Sequence, residues 1–273
     1  MKYIFTLSGN SKRFTDSGFL PKYLIKIQDR MVIEYVVDMF PGVPQDSMIF
    51  IINDKDNEKY LVSKALKKLY PGSGIEVIPQ NTQGPVYSIL EAIKYINCDK
   101  EEILVSYCDL FHKWNFSDFQ KHLQQTKCDG CLVTHTGYHP HRLGKMNFAH
   151  LKVNGGDVLE VKEKGYFTEN PINEYASSGI YYFRTGAIMQ RYFKDMIFFH
   201  TKVNGEFFVT LAYNRMIRDS RKVVHYPTDN YVCFGTPEDL CGFIVWMDYL
   251  KKGFDTSKIS FLFDYWQRYN KHE

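Results

Sequence analysis

The sequence predicts an α/β fold: a mixed, mainly parallel sheet with helices on both faces and an inserted β region in the second half. Three observations predict it. Short apolar runs alternate with stretches of helical spacing through residues 1–134. The runs are apolar on consecutive residues, as strands covered on both faces should be. Polar, glycine-containing turns follow two of the runs, where open parallel sheets bind ligands.

Each element has its own reason. Tyr3 to Leu7 is a short buried strand followed at once by a polar Ser-Gly-Asn-Ser-Lys-Arg turn. Val32 to Phe40 carries apolar residues at 32, 33, 36, 37 and 40, a helical stripe ended by Pro41, Gly42 and Pro44. Ser47 to Ile52 is a second strand. Glu58 to Leu69 reads as one amphipathic helix stopped by Pro71, Gly72 and Gly74. Ile75 to Ile78 is a third strand, Pro85 to Tyr95 a third helix, and Ile103 to Tyr107 a fourth strand ending in Cys108-Asp109. Phe116 to Gln125 is a helix and Gly130 to Thr134 a strand. Residues 135–185 then change rhythm, with strand signals, a Gly155-Gly156 hairpin turn and a strand at Ile180 to Phe183. Two helices follow within 186–217, then a strand at Val223 to Tyr226 and a helix from Pro237 to Lys251. The tail, Phe261 to Tyr269, is aromatic and helical in pattern. The order is that of a Rossmann-like sheet.

Composition excludes several classes. The chain of 273 residues has 34 Lys and Arg against 31 Asp and Glu, a net charge of +3 that does not favour a nucleic-acid binder. Aromatic residues at 16% exclude disorder. No apolar run is long enough to span a membrane, and the start does not read as a signal peptide. The six cysteines are scattered, so a reducing, cytoplasmic setting is expected. Charge is uneven, however. The first thirty residues hold six basic and two acidic side chains, around a loop of small residues.

That loop is the first candidate site. Leu7, Ser8, Gly9, Asn10 and Ser11 follow a strand directly, and small residues let backbone N–H groups approach phosphate oxygens. Arg13 supplies a planar fork of donors, and Lys22, behind Pro21, a mobile point charge. Asp109 stands at a strand end, where Mg²⁺ or Mn²⁺ could take its carboxylate oxygens together with substrate phosphates, although a lone aspartate there is more often a helix cap or turn residue.

These segments resemble the signature of the sugar-1-phosphate nucleotidyltransferases, the pyrophosphorylase-like NTP transferases. Ser8-Gly9-Asn10-Ser11-Lys12-Arg13-Phe14, then Pro21-Lys22 and Leu24, are similar to the family's phosphate loop, with Ser11 where its second glycine is usual. Asp109 resembles its metal-binding aspartate, and only this resemblance makes it the expected metal ligand. Gln80 and Gly84, before Pro85-Val86, resemble the segment that meets the base. Glu163-Lys164 and the strand from Gly179 resemble the acceptor side, with lysine on the acceptor phosphate and glutamate on the sugar; Lys162 is the alternative lysine. Glu206 falls in a later acceptor element. Phe234-Gly235-Thr236-Pro237-Glu238 resembles the family's closing motif, with Cys233 where many members have a second metal-binding aspartate; Asp229 is nearby at another spacing.

The resemblance implies an enzyme that transfers a nucleoside monophosphate from a nucleoside triphosphate to a small phosphorylated acceptor, a sugar 1-phosphate, for surface polysaccharide. Cytidylyl transfer to a non-sugar phosphate and a non-catalytic nucleotide sensor are the rival readings. It implies a nucleotidyltransferase domain over 1–240, with a nucleotide-binding half at 1–134, an acceptor half at 135–240 and a tail at 241–273. A homodimer is the expected assembly, with neither nucleic acid nor membrane as partner. Two further signals have plainer readings: Cys128-x-x-Cys131, of metal-like spacing but without a second pair, as buried cysteines, and His135, His139, His141 and Arg142 as a solvated basic loop, with contact to an anionic acceptor or zinc binding as the alternatives.

Overall fold

In a computed structural model, residues 1–94, 96–137, 148–228 and 231–251 are described. His139, His141, Arg142, Asp229 and the aromatic tail from Phe261 lie outside the described residues.

The chain begins with β1 (Lys2–Thr6) and a short α1 (Lys12–Thr15), followed by a small hairpin of β2 (Lys26–Ile27) and β3 (Arg30–Met31). Then come α2 (Val32–Asp38), β4 (Met48–Asn53), α3 (Asp54–Tyr60), α4 (Val62–Leu69), β5 (Gly74–Ile78), α5 (Pro85–Ile93), β6 (Ile103–Tyr107), β7 (Leu110–His112), α6 (Phe116–Thr126) and β8 (Gly130–His135). The second half contains β9 (Ala149–Asn154), β10 (Asp157–Glu163), β11 (Tyr175–Phe183), α7 (Gly186–Phe198), α8 (Thr210–Arg218), β12 (Val223–Pro227), β13 (Tyr231–Cys233) and α9 (Pro237–Lys251).

Nine strands form one sheet in the order β5-β4-β1-β6-β11-β8-β12-β10-β9. The first four run parallel, and β12 runs parallel to β8. The antiparallel pairings come from the inserted region. There β11 wedges between β6 and β8, while β9 and β10 form a hairpin about Gly155-Gly156 at the far edge. The inserted β region is therefore part of the main sheet. Successive side chains of β1 go to opposite cores. Tyr3 and Phe5 pack with residues of α2, α4 and α6, and Ile4 packs with residues of α5, α7 and α8. Ile4, Phe5 and Phe50 are wholly buried, and each such side chain contributes roughly 1.5–3 kcal/mol.

One expected helix is two. The stretch read as Glu58 to Leu69 starts earlier, at Asp54, and breaks at Leu61, which has φ 53°. Asn53 caps α3 by accepting the Asp56 N–H at 2.7 Å, and Asp54 and Asp56 suit the positive end of a helix. At the break the Asn57 side chain accepts the Ser63 N–H at 2.9 Å, which offsets part of the lost ladder. No helix among the described residues is long and apolar enough to cross a membrane.

Candidate active site

The parallel order β5-β4-β1-β6 puts the carboxyl ends of β1 and β6 side by side, with Thr6 opposite Tyr107. Beyond them opens a cleft of about 660 Å³, with a smaller recess of about 260 Å³ beside it.

The loop after β1 forms one wall. Gly9, Asn10, Ser11, Lys12 and Arg13 line the cleft, and Ser8 lines the recess. Leu7 is wholly buried and anchors the loop, its N–H bonded to the Ile51 carbonyl at 2.8 Å. Ser11 takes φ 47°, a left-handed conformation that favours glycine, and its carbonyl starts α1 by accepting from Phe14 and Thr15. Its Oγ is buried without a hydrogen-bond partner.

Lys22 faces Asp109 across this wall, Nζ to Oδ2, at 2.7 Å. Burial acts to lower the lysine pKa. The Asp109 carboxylate, with smaller contributions from Cys108 and Cys233, outweighs it and holds the ammonium above its usual value. A clamp that sequence reading missed holds the segment carrying Lys22 to the β1 loop. Asn53 Nδ2 donates to the Ser8 carbonyl at 3.3 Å and to Asp56 Oδ2 at 2.9 Å, and the Tyr23 hydroxyl donates to that same Asp56 oxygen at 2.7 Å. One buried carboxylate thus joins the β1 loop to the segment carrying Lys22.

Gly84 takes φ 93°, and a Cβ there would lie 2.9 Å from the Phe207 nitrogen. The close approach allows Phe207 N–H to donate to Gln83 O at 2.8 Å and Val86 N–H to Phe207 O at 3.2 Å. This brings Gly84 and Glu206 to the same recess. Gln80 is not brought there: it is exposed and its N–H bonds to Asp54 Oδ1, while Asn81 and Thr82 line the recess in its place.

The opposite wall holds Glu163, Lys164, Gly179 and Glu206. Gly179, at φ 81°, sits at an irregularity in β11, where an added Cβ would meet Leu110 Cδ2 at 2.4 Å. The two candidate lysines separate cleanly. Lys164 lines the cleft, whereas Lys162 bonds the Tyr166 carbonyl at 3.1 Å and lies over the Phe167 ring. Glu163 accepts from Thr210 Oγ1. Burial raises its pKa to about 7, against the opposing pull of Thr210 and Lys164.

Pairing of β13 with β7 sets Cys233 opposite Leu110, next to Asp109. Burial, then Asp239 and Asp109, push the Cys233 thiol well above its usual range, and the Gly235 N–H donates to its Sγ at 3.3 Å. Asp239 lines the same cleft and accepts from Thr236 Oγ1 at 2.9 Å. Among the described residues no three His, Cys, Asp or Glu side chains group around a metal position. Cys128 and Cys131 are buried, free thiols. His135 is also buried, stacked on Tyr231 at 4.0 Å and bonded to Ser178 Oγ at 3.0 Å, so it is a core residue rather than part of a solvated loop.

Comparison with known proteins bears on the fold and the family. The chain is similar to the nucleoside-diphosphate-sugar pyrophosphorylase of Vibrio cholerae RC9, with a TM-score of 0.70, 21% identity, and coverage of 89% of this chain and 99% of that one. It is similar to the inositol-1-phosphate CTP transferase of T. maritima, at TM-score 0.68 and 16% identity, covering 92% and 96%. It is also similar to a UDP-glucose pyrophosphorylase complexed with UDP-glucose, at TM-score 0.67 and 17% identity, covering 92% and 98%. At these identities the likeness is one of fold. No curated protein matches the chain. The MobA-like NTP transferase domain matches residues 7–158, more than half of the sequence and the part that carries the loop, Lys22 and Asp109. The chain therefore belongs to the MobA-like NTP transferase domain family and is a nucleotidyltransferase.

Proposed function

We propose that the enzyme transfers a nucleoside monophosphate from a nucleoside triphosphate to a sugar 1-phosphate, giving a nucleotide sugar of the kind used in surface polysaccharides, and pyrophosphate. One observation carries this reading: a single cleft holds Lys12, Arg13, Lys22 and Asp109 on one wall and Glu163 and Lys164 on the other. The first wall suits a triphosphate. The second suits a phosphate that also carries hydroxyl groups.

An oxygen of the acceptor phosphate attacks the α-phosphorus. The bond from that phosphorus to the bridging oxygen breaks, and pyrophosphate leaves with the electron pair. The acceptor phosphate is already anionic at neutral pH, so no general base is needed. The residues therefore act by alignment and charge neutralisation. Arg13 holds the β- and γ-phosphates, Lys22 the transferring region, and Lys164 the acceptor phosphate. Glu163, when ionised, accepts from an acceptor hydroxyl. The donor chemistry fits Mg²⁺ or Mn²⁺ arriving with the triphosphate, since magnesium is commonly held by one or two carboxylates and substrate phosphates. Asp109 would hold it, and the ion would neutralise triphosphate charge.

Cytidylyl transfer to a non-sugar phosphate is the second reading. It rests on likeness to the inositol-1-phosphate CTP transferase. Pyrophosphate release across the four common triphosphates and a panel of sugar 1-phosphates and alcohol phosphates, with mass spectrometry of the product, tests both. Release only with alcohol phosphates selects the second reading, and release with no pair overturns both.

A further inference from the structure

A second concavity lies at the end of the sheet opposite the cleft. Strand register places it. Phe183 pairs with Ile103 and Val223 with Gly130, so Arg184, Asp129 and Arg221 gather where β6 begins. Asp109 lies beyond the other end of that strand, roughly 20 Å away at 3.3 Å per residue. Helix α7 adds Arg191 and Tyr192, the last turn of α8 adds Arg215, and Asp219 follows as its C-cap. Most of these residues line a hollow of about 570 Å³.

Four guanidinium groups share two carboxylates here. Asp129 Oδ1 lies 3.7 Å from Arg184 Nε and 3.5 Å from Arg221 Nη1. Asp219 lies 3.2 Å from Arg191 Nη2 and 3.6 Å from Arg215 Nε. Three of the four contacts are thus at or beyond the outer limit of a hydrogen bond. Arg215 Nε is buried without a hydrogen-bond partner. Arginine does not lose its proton in proteins, so the surplus of positive charge persists across the working pH range. Three arginines and two aspartates line the hollow itself, so pairing leaves one cation there, with forked donors that match phosphate oxygens; Arg184 stands beside it, its Nε donating to the Cys128 carbonyl at 2.9 Å.

We propose that this concavity is a second anion site, separate from the cleft, that takes a phosphate-bearing ligand: an inorganic polyphosphate or the phosphate chain of a nucleotide. Calorimetric titration with tripolyphosphate at low ionic strength tests it. The cleft is first disabled by Arg13→Gln with Lys22→Gln. One binding event is expected to remain, weakened about tenfold or more when Arg191→Gln and Arg221→Gln are added. Arg191→Gln alone, at a side chain 58% exposed, keeps the fold and is expected to weaken binding several-fold. Circular dichroism checks that each variant is folded. Binding unchanged in the folded Arg191→Gln, Arg221→Gln protein overturns the proposal, as does an absence of binding once the cleft alone is disabled. Parallel titration with a nucleoside triphosphate separates the sources: equal affinity assigns the ligand to the phosphate chain, and tighter binding assigns it to a nucleotide.

Discussion

Lys22 Nζ and Asp109 Oδ2 lie 2.7 Å apart, though 87 residues separate them in sequence. The pair closes the nucleotide wall of the cleft, joining the segment after the β1 loop to the end of β6. Each partner keeps the other from standing as an unpaired charge in a partly buried place. Asp109 is the main reason that the lysine pKa is raised despite burial. A ligand that recruits either side chain must work against this contact.

Asp109→Asn should lower turnover, and because it also leaves Lys22 without its carboxylate partner, some loss of stability accompanies it; circular dichroism checks that the variant is folded. The Asp109 carbonyl, which accepts the Phe234 N–H at 2.7 Å, is untouched by the change. Loss of a charged group that organises the triphosphate costs roughly 100- to 1,000-fold in rate. Pyrophosphate release measures it, and an undiminished rate would remove Asp109 from the mechanism.

Glu163 gives a pH signature. Its folded pKa, raised from 4.5 to about 7, means that the folded protein binds this proton more tightly than the unfolded chain does. Its contribution to stability is fully present below pH 4.5 and is lost as pH rises to about 7, a loss of up to about 3 kcal/mol. Thermal unfolding followed across that window should show this downward component in the wild type and not in Glu163→Gln. Identical profiles would show that Glu163 titrates in its ordinary range.

Gly84→Ala should weaken both the fold and nucleotide binding. At φ 93° the new Cβ is strained, and it would meet the Phe207 nitrogen at 2.9 Å. A cost of about 1–3 kcal/mol in chemical denaturation is expected, with a raised KM for the triphosphate. An alanine variant with wild-type stability and KM would contradict the close approach of these two segments.

Ser11→Gly should stabilise. The left-handed conformation costs a non-glycine residue about 1–2 kcal/mol, and the added freedom of glycine in the unfolded chain returns about 0.4–1 kcal/mol of that. The hydroxyl lost makes no hydrogen bond. A rise of about 0.5–1 kcal/mol in denaturant unfolding, with turnover retained, is the expected result. A fall would mean that the serine oxygen has a partner in solution.

Much of this was legible along the chain. The strand at Tyr3 to Leu7, the loop from Ser8 and the strand ending at Asp109 were readable because covered strands need continuous apolar runs and phosphate loops need small residues. The break at Leu61 was not, because it rests on a cap by Asn53 and a bond between Asn57 and Ser63 that periodicity does not register. Nor was the Asn53–Asp56–Tyr23 clamp, which joins side chains that look ordinary one at a time. Gln80 was chosen by its likeness to a motif. The fold instead turns Asn81 and Thr82 to the recess, since the Gln80 backbone is tied to Asp54.

By itself the sequence determined the α/β class, the order of the main strands and helices, and a small-residue loop with basic side chains suited to phosphate. Those depend on local spacing and composition, which every chain of this pattern carries with it. Tertiary structure alone decided that Lys22 meets Asp109, that Lys164 rather than Lys162 reaches the cleft, and that Cys233 stands half-buried beside Asp109. Those facts depend on strand order, on the wedge of β11 and on burial. All three arise from contacts between distant segments, whose energies no single stretch of sequence contains.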